Sequence, residues 1–193
     1  MNTPHTVMQR IVKLGLILMM GVSMSACSDA GSWQEEVKLS DGRVITVTQK
    51  RRYENVYTGQ NFGDLPRESW LTFKLPEFGE QEVTWHENLK PLLLNIQQGK
   101  LYVIGRPFTE REFREYGRPF PEYVPYRYEA GLWKRIPFNE IPEAIYDTNL
   151  LINNSPPNGA KFVTFSMKAN EMKDIKLGKS DKKLSATFKA PAH

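Results

Sequence analysis

The chain has 193 residues, with 26 Lys and Arg against 22 Asp and Glu and a formal net charge of +4. This near balance argues against nucleic acid as a partner, because domains that bind nucleic acid carry a marked excess of basic residues. A single cysteine excludes an intrachain disulfide. Only one of the three histidines, His86, lies away from the chain termini, so we expect no zinc site of the usual kind and no cofactor.

The first 26 residues have the three parts of a secretory signal. Arg10 and Lys13 make the start basic, an apolar run follows at 14–22, and mostly small residues occupy 23–26. A helix over this apolar run would reach about 14 Å, against about 30 Å for the hydrocarbon core of a bilayer. The run is too short to span a membrane, and we expect residues 1–26 to be cleaved. Their removal takes away two basic residues and no acidic one, so the net charge falls from +4 to +2.

The only cysteine, Cys27, directly follows this segment. Met24-Ser25-Ala26-Cys27 resembles the lipobox of bacterial lipoproteins, although Met24 stands where Leu is usual. The resemblance implies that Cys27 is the lipid attachment site and that the signal is cut just before it. Ser28 stands where Asp retains enterobacterial lipoproteins in the inner membrane, which implies the periplasmic face of the outer membrane. A buried, inert cysteine and ordinary signal cleavage near Ser25 are the alternatives.

The remainder of the chain is expected to form a short tether, 27–32, and one domain, 33–193. Apolar and polar residues alternate along successive segments separated by turn residues, which predicts antiparallel hairpins. We therefore expect a mainly β fold, a sandwich or bent sheet built from hairpins, with one or two short helices. This part of the chain resembles lipoproteins of Gram-negative envelopes in general.

The first predicted hairpin spans 33–48 and turns at Ser40-Asp41-Gly42. A three-residue loop with Gly42 in the left-handed region puts Leu39 opposite Arg43. Val37 then pairs with Ile45, and Glu35 with Val47. This register places the apolar residues of both strands on one face, so the hydrophobic pattern favours it.

Three further hairpins and two late strands are predicted. Segments 71–75 and 83–85 form the second hairpin, and 126–128 and 132–136 form the fourth. The third joins 92–96 to 101–104, which are apolar on both faces and therefore typical of central, doubly covered strands. The late strand candidates are 162–167 and 184–188.

Helix is predicted at two places. Thr109-Glu110-Arg111-Glu112 has the spacing of a capping box, Phe108 and Phe113 are placed as a hydrophobic staple, and Gly117 is a stop signal. Pro142 is placed to open a second short helix through 145–146. From Lys161 onward eight Lys stand against three acidic residues, so we expect a basic, partly mobile C-terminal end.

Few residues could support catalysis. A catalytic triad could run only through His86, and alternation with Val83 and Trp85 points its side chain outward. Glu35 and Glu36 are adjacent in a strand and face opposite ways. Glu112 and Glu115 share a helix face, where a solvated surface is expected. We therefore expect no enzyme.

The aromatic residues of 116–133 allow two interpretations. They can fill the core of a small β domain, as the alternation of Tyr126 and Tyr128 with Arg127 favours. Alternatively, Tyr123, Tyr126 and Trp133 form a platform that stacks on glycan.

The sequence therefore predicts a lipid-anchored, non-catalytic binding module of the cell envelope. The expected partner is another envelope protein, with a glycan or cell-wall ligand as the alternative and a hydrolase using His86 as a third possibility.

Overall fold

The computed structural model describes residues 30–57, 62–174 and 182–188. Within them the fold is mainly β, with two sheets and two short α-helices, as the sequence predicts. The elements are β1 (Ala30–Lys38), β2 (Val44–Tyr57), β3 (Phe62–Phe73), β4 (Val83–Glu87), β5 (Leu89–Gln97), β6 (Lys100–Pro107), α1 (Glu110–Glu115), β7 (Val124–Glu129), β8 (Leu132–Arg135), β9 (Phe162–Val163) and α2 (Phe165–Asp174). The predicted signal 1–26, Cys27 and Ser28 lie outside the described residues.

Neighbouring strands are antiparallel with one exception. The first sheet has the order β4-β3-β2-β1-β9, and the second has the order β5-β6-β7-β8. Strand β9 pairs with β1 in parallel, through Gln34 with Phe162 and Glu35 with Val163. The chain returns to the first sheet at β9 only after completing the second sheet, and this return brings α2 beside β1.

The first hairpin has the predicted register. Val37 pairs with Ile45 and Glu35 with Val47. The Leu39 N–H donates to the carbonyl oxygen of Arg43 at 2.8 Å, and Gly42 has a φ of 90°. The loop therefore closes as the hydrophobic pattern predicts, and Val37 and Leu39 are buried together with Val47.

The second sheet separates two hydrophobic cores. The first core fills the space between the sheets, and Leu94, Val103 and Tyr126 contribute to it from the second sheet. The second core lies on the other face, where Leu93, Tyr102 and Ile104 pack against the segments that follow β8. The expectation that 92–96 and 101–104 are covered on both sides is confirmed. The segments that complete the second core supply Ile136, Ile141, Ile145 and Leu184.

The helix predicted at Thr109 is confirmed, whereas the one predicted after Pro142 is only a 3₁₀ turn. The Arg111 N–H donates to Thr109 Oγ1 at 3.2 Å, so Thr109 caps α1. Gly117 follows with a φ of 77°, and its N–H donates to the carbonyl oxygen of Arg114 at 3.0 Å. After Pro142, a single 3₁₀ turn covers Glu143–Ile145.

The predicted strand at 162–167 was wrong beyond Val163. Thr164 instead caps α2, because the Met167 N–H donates to Thr164 Oγ1 at 3.3 Å and the Lys168 N–H to its carbonyl oxygen at 3.2 Å. A threonine placed before a helix satisfies backbone donors that a strand would pair elsewhere. The capping signal outweighed the alternating pattern.

The predicted strand at 184–188 was also wrong. Leu184 is buried in the second core, and its N–H donates to the carbonyl oxygen of Tyr146 at 2.8 Å. The apolar residues of this segment cover the face of the second sheet and do not extend its edge. Of the end predicted to be partly mobile, 175–181 and 189–193 lie outside the described residues, whereas 182–188 packs on the second sheet.

The predicted tether was too long at its C-terminal end. Strand β1 begins at Ala30, and Ala30–Ser32 pair with residues 50–52 of β2. The tether assignment rested on small polar residues. Backbone pairing with a long neighbouring strand needs no apolar side chain, so these residues can extend β1.

Gly105 occupies a position where a side chain has no room. A Cβ at this position would lie 2.9 Å from Leu89 Cβ and 3.3 Å from the Lys90 carbonyl oxygen. Gly63, also within a strand, has no atom within 4 Å of the corresponding position. We expect Gly105→Ala to lower the free energy of unfolding by about 1–3 kcal/mol through overpacking. Urea denaturation checks this, with Gly63→Ala as the control, and equal effects of the two substitutions would contradict it.

Candidate functional site

The inner face of the first sheet changes from apolar to charged along the strands. The alternation that points Val37 inward on β1 also points Glu35 inward, and on β2 Val47 is followed on the same face by Gln49 and Arg51. Glu35, Gln49 and Arg51 are all fully buried. With Lys168 of α2, which is 6% exposed, they form what we call the buried charged cluster.

Glu35 has partners on both carboxylate oxygens. Oε2 accepts from Lys168 Nζ at 2.9 Å and from the Leu151 N–H at 2.9 Å. Oε1 accepts from Gln49 Nε2. A buried carboxylate requires such partners, because an unpaired charge is strongly disfavoured away from water. Glu35 therefore joins β1 to β2, to α2 and to the segment that precedes β9.

Lys168 is held as completely as Glu35. Its ammonium group also donates to the Asn149 carbonyl oxygen at 2.7 Å and to the Glu36 carbonyl oxygen. These bonds, with the one to Glu35, use all three donors of the group. Lys168 fastens α2 to the edge of β1, and none of its donors is left for a ligand.

Arg51 binds the backbone of the segment that precedes β9. Its Nη1 donates to the Asn153 carbonyl oxygen at 2.7 Å, and its Nη2 to the Leu151 carbonyl oxygen at 3.4 Å. The guanidinium carbon lies 5.0 Å from the centre of the Trp33 ring, an arrangement in which a cation is attracted by the ring face. Burial lowers the pKa of Arg51 to about 10, so the side chain is still charged at neutral pH.

Glu112 of α1 forms a second buried ion pair, with Arg67. This side chain is fully buried, and its Oε1 lies 2.9 Å from Arg67 Nη1 of β3. Glu115, by contrast, has a side chain that is 48% exposed. The prediction that Glu112 lies on a solvated surface was therefore wrong. Its carboxylate also accepts a hydrogen bond from Thr109, the residue that caps α1. Arg67 also forms a salt bridge with Glu54, across the β2–β3 hairpin.

His86 points outward, as alternation predicts. Its ring stacks on Trp70 with 4.3 Å between ring centroids and an interplanar angle of 11°. Its Nε2 lies 3.2 Å from Glu68 Oε2, and the side chain is 48% exposed. A hydrolase would need His86 in a cleft beside a nucleophile, so this position on the open face of the sheet does not favour the hydrolase interpretation.

The three rings proposed as a glycan platform do not lie together. Tyr123 is 2% exposed and stacks between Phe138 and Phe188 in the second core. Tyr126 is 6% exposed and packs edge-on against Trp85 in the first core. Tyr123 directly precedes β7 and Tyr126 lies within it, and the odd spacing of three residues puts the two side chains on opposite faces of the second sheet. The platform hypothesis was wrong, and the core interpretation is confirmed for both tyrosines.

Trp133 has a different role at the edge of the sandwich. Its Nε1 donates to the carbonyl oxygen of Thr84 at 2.8 Å. Thr84 lies on β4, the edge strand of the first sheet, and Trp133 on β8, the edge strand of the second. The half-buried indole therefore joins the two sheets along this side.

Asn149 joins the two sheets on the opposite side of the sandwich. Its Nδ2 donates to the carbonyl oxygens of Lys38 on β1, at 2.9 Å, and of Leu94 on β5, at 2.7 Å. Its Oδ1 accepts from the Leu94 N–H at 3.0 Å. One side chain thus connects β1 of the first sheet with β5, the edge strand of the second.

The described part of the chain offers no cluster of three or more His, Cys, Asp or Glu side chains suited to a metal ion. None of its helices combines the length and apolar character needed to cross a bilayer. Comparisons with protein-family models, curated proteins and solved structures found no match to this chain.

Loss of Lys168 should destabilise the fold strongly. Lys168→Met leaves the Glu35 carboxylate buried beside an apolar chain, and we expect a loss of about 3–5 kcal/mol in the free energy of unfolding. Lys161→Met removes an exposed lysine from the same part of the chain and should change that free energy by less than about 0.5 kcal/mol. Chemical denaturation measures both changes. Similar losses of unfolding free energy in the two variants would show that the Glu35–Lys168 pair does not stabilise the fold as proposed.

The ionised Glu68 carboxylate should stabilise the fold at pH values above its ordinary pKa. The hydrogen bond from Arg52, and then that from His86, holds the pKa of Glu68 below its ordinary value of 4.5. A lowered pKa stabilises the fold above pH 4.5, and the contribution is lost as pH falls through the lowered value. Glu68→Gln should therefore cost up to about 1 kcal/mol at pH 7, with a smaller difference from wild type at pH 3.

Thermal unfolding between pH 7 and pH 3 measures this difference. Arg52→Gln is the matched variant, because it removes the main partner and leaves the Glu68 carboxyl in place. Its difference from wild type should shrink over the same pH range. A difference that stays constant from pH 7 to pH 3 would show that pairing with Arg52 does not stabilise the ionised carboxylate.

Proposed function

We propose that this chain is a bacterial lipoprotein whose domain acts as a non-catalytic interaction module of the cell envelope. In this proposal the signal 1–26 is removed, Cys27 carries the lipid, and Ser28 directs the protein to the periplasmic face of the outer membrane. The observation that carries the proposal is the position of β1. The strand begins at Ala30, three residues after Cys27, so a lipid on Cys27 holds the first sheet directly at the membrane.

The lipid supplies the anchoring energy in this proposal. Each methylene buried in the bilayer contributes about 0.8 kcal/mol, so two or three acyl chains bind far more firmly than one. The protein needs no membrane-spanning segment of its own to remain there.

The arrangement of charged side chains favours interaction over catalysis. Glu35, Lys168, Arg67 and Glu112 form buried ion pairs that hold elements together. His86 is occupied on the open sheet face by Trp70 and Glu68. Tethering restricts the domain to partners at the same membrane and raises their effective concentration. We therefore propose another envelope protein as the partner.

Crosslinking in intact envelopes, followed by purification of the protein, tests this proposal. We expect one envelope protein to be enriched with the wild type and lost with Cys27→Ala, because the unanchored domain is no longer concentrated at the membrane. Cys27→Ala should fold normally, since residue 27 precedes β1. Enrichment of glycan or cell wall alone, or equal enrichment of the same protein with both forms, would contradict the proposal.

A further inference from the structure

The outer face of the first sheet is the sheet face that no hydrophobic cluster of the described residues covers. The first core fills the space between the sheets, and the second core covers the far face of the second sheet. A smaller cluster, around Trp33 and Val163, lies on the inward side of β1 and β9. We call the outer face of the first sheet the open face. A solvated face is ordinary in an antiparallel sheet, so the side chains on it decide whether it can bind a partner.

Apolar side chains are exposed along one side of the open face. Val44 of β2 is 55% exposed, and Phe162 of β9, which pairs with Gln34 of β1, is 42% exposed. Phe165, at the start of α2, is 51% exposed, and its N–H donates to Glu36 Oε2 at 2.8 Å. Alternation along β1 places Gln34 and Glu36 on the open face, so both phenylalanines border it. Large apolar side chains that share one surface indicate an interaction site, whereas singly scattered ones do not.

A half-buried tryptophan lies on the other side of the open face. Trp70 of β3 pairs with Lys50 of β2 and with His86 of β4. Lys50 Nζ lies 5.1 Å from the centre of the Trp70 ring, and the His86 ring stacks on it. Because these two neighbours come from the strands on either side, they cover the two faces of the indole. Trp70 therefore presents a ring edge, which suits a protein contact better than the stacking of a sugar ring.

Two cations of the open face have no counter-ion among the described residues. Lys38 and Lys50 point outward from β1 and β2, and neither forms an ion pair with a described residue. The outward-facing glutamates are already engaged: Glu68 forms a salt bridge with Arg52, and Glu36 accepts the backbone N–H at the start of α2. A surface that carries carboxylates would complement the two lysines.

We propose that the open face binds the envelope protein partner, and that this partner presents carboxylates to Lys38 and Lys50. Its surface between these carboxylates is apolar and covers Val44, Phe162 and Phe165. Lys38 pairs directly with Val44 in the sheet, so one carboxylate lies at the border of the apolar contact. This inference rests on the proposed function and assigns the surface through which the module acts.

Carbodiimide crosslinking in intact envelopes tests the contact, because this reagent joins an amine only to a carboxylate that touches it. We expect an amide between Lys38 or Lys50 and an Asp or Glu of the protein whose enrichment depends on Cys27. A photoactivatable crosslinker measures that enrichment independently of lysine amines. Lys38→Glu combined with Lys50→Glu should lower the enrichment several-fold. Lys38→Arg combined with Lys50→Arg should preserve the enrichment and lose the amide.

Two control variants complete the test. Lys100→Glu reverses an exposed charge at the start of β6, in the second sheet, and should not change the enrichment. Phe165→Ser should lower the enrichment several-fold, whereas Leu132→Ser should not, although Leu132 is 66% exposed on β8.

Three results would overturn the proposal. They are full enrichment with the double glutamate variant, loss of enrichment with the double arginine variant, and amides that join only other lysines or two copies of this chain. If a partner still depends on Cys27 in these cases, only the assignment of the open face fails. If no protein is enriched with the wild type, the proposed function fails, and this inference fails with it.

Discussion

The fold depends on a carboxylate that lies where a core residue would be expected. Glu35 occupies an inward position of β1, two residues from Val37, and is fully buried. Its burial is tolerated because Lys168, Gln49 and the Leu151 N–H all donate to it. Two of these donors come from residues more than 100 positions later, so the charge on β1 is satisfied only when the chain has returned to the first sheet. The segment before β9 and helix α2 supply these donors.

Side chains protect the sheet edges on both sides of the sandwich. Exposed edge strands invite pairing with other chains, and proteins commonly block them with side chains or covering segments. Asn149 occupies backbone groups of β1 and β5, Lys168 bonds to the Glu36 carbonyl oxygen, and Trp133 joins β8 to β4. In the proposed function the domain is confined at high local concentration on a membrane, where such protection is needed.

Local patterns predicted most of the strands and little of the polar core. Features that depend only on residues close in sequence could be predicted. They include the loop through Gly42, the cap at Thr109 and the outward position of His86. The hairpin register also places Glu35 on the inward face, and this was the available signal for the buried charged cluster. Its partner Lys168 lies in a segment whose charge pattern is typical of a solvated surface, and only tertiary pairing distinguishes it. Glu112 was misassigned for the same reason, since Arg67 lies on a distant strand.

In the proposed function, the architecture joins an anchor to a rigid body. The lipid holds the start of β1, and the buried charged cluster holds β1, β2 and α2 together behind it. Mass spectrometry of the N-terminal peptide of the protein purified from membranes tests the lipoprotein assignment most directly. We expect the peptide to begin at Cys27 and to carry a diacylglycerol and a further acyl chain. A peptide that begins elsewhere, or begins at Cys27 with a free thiol, would contradict it.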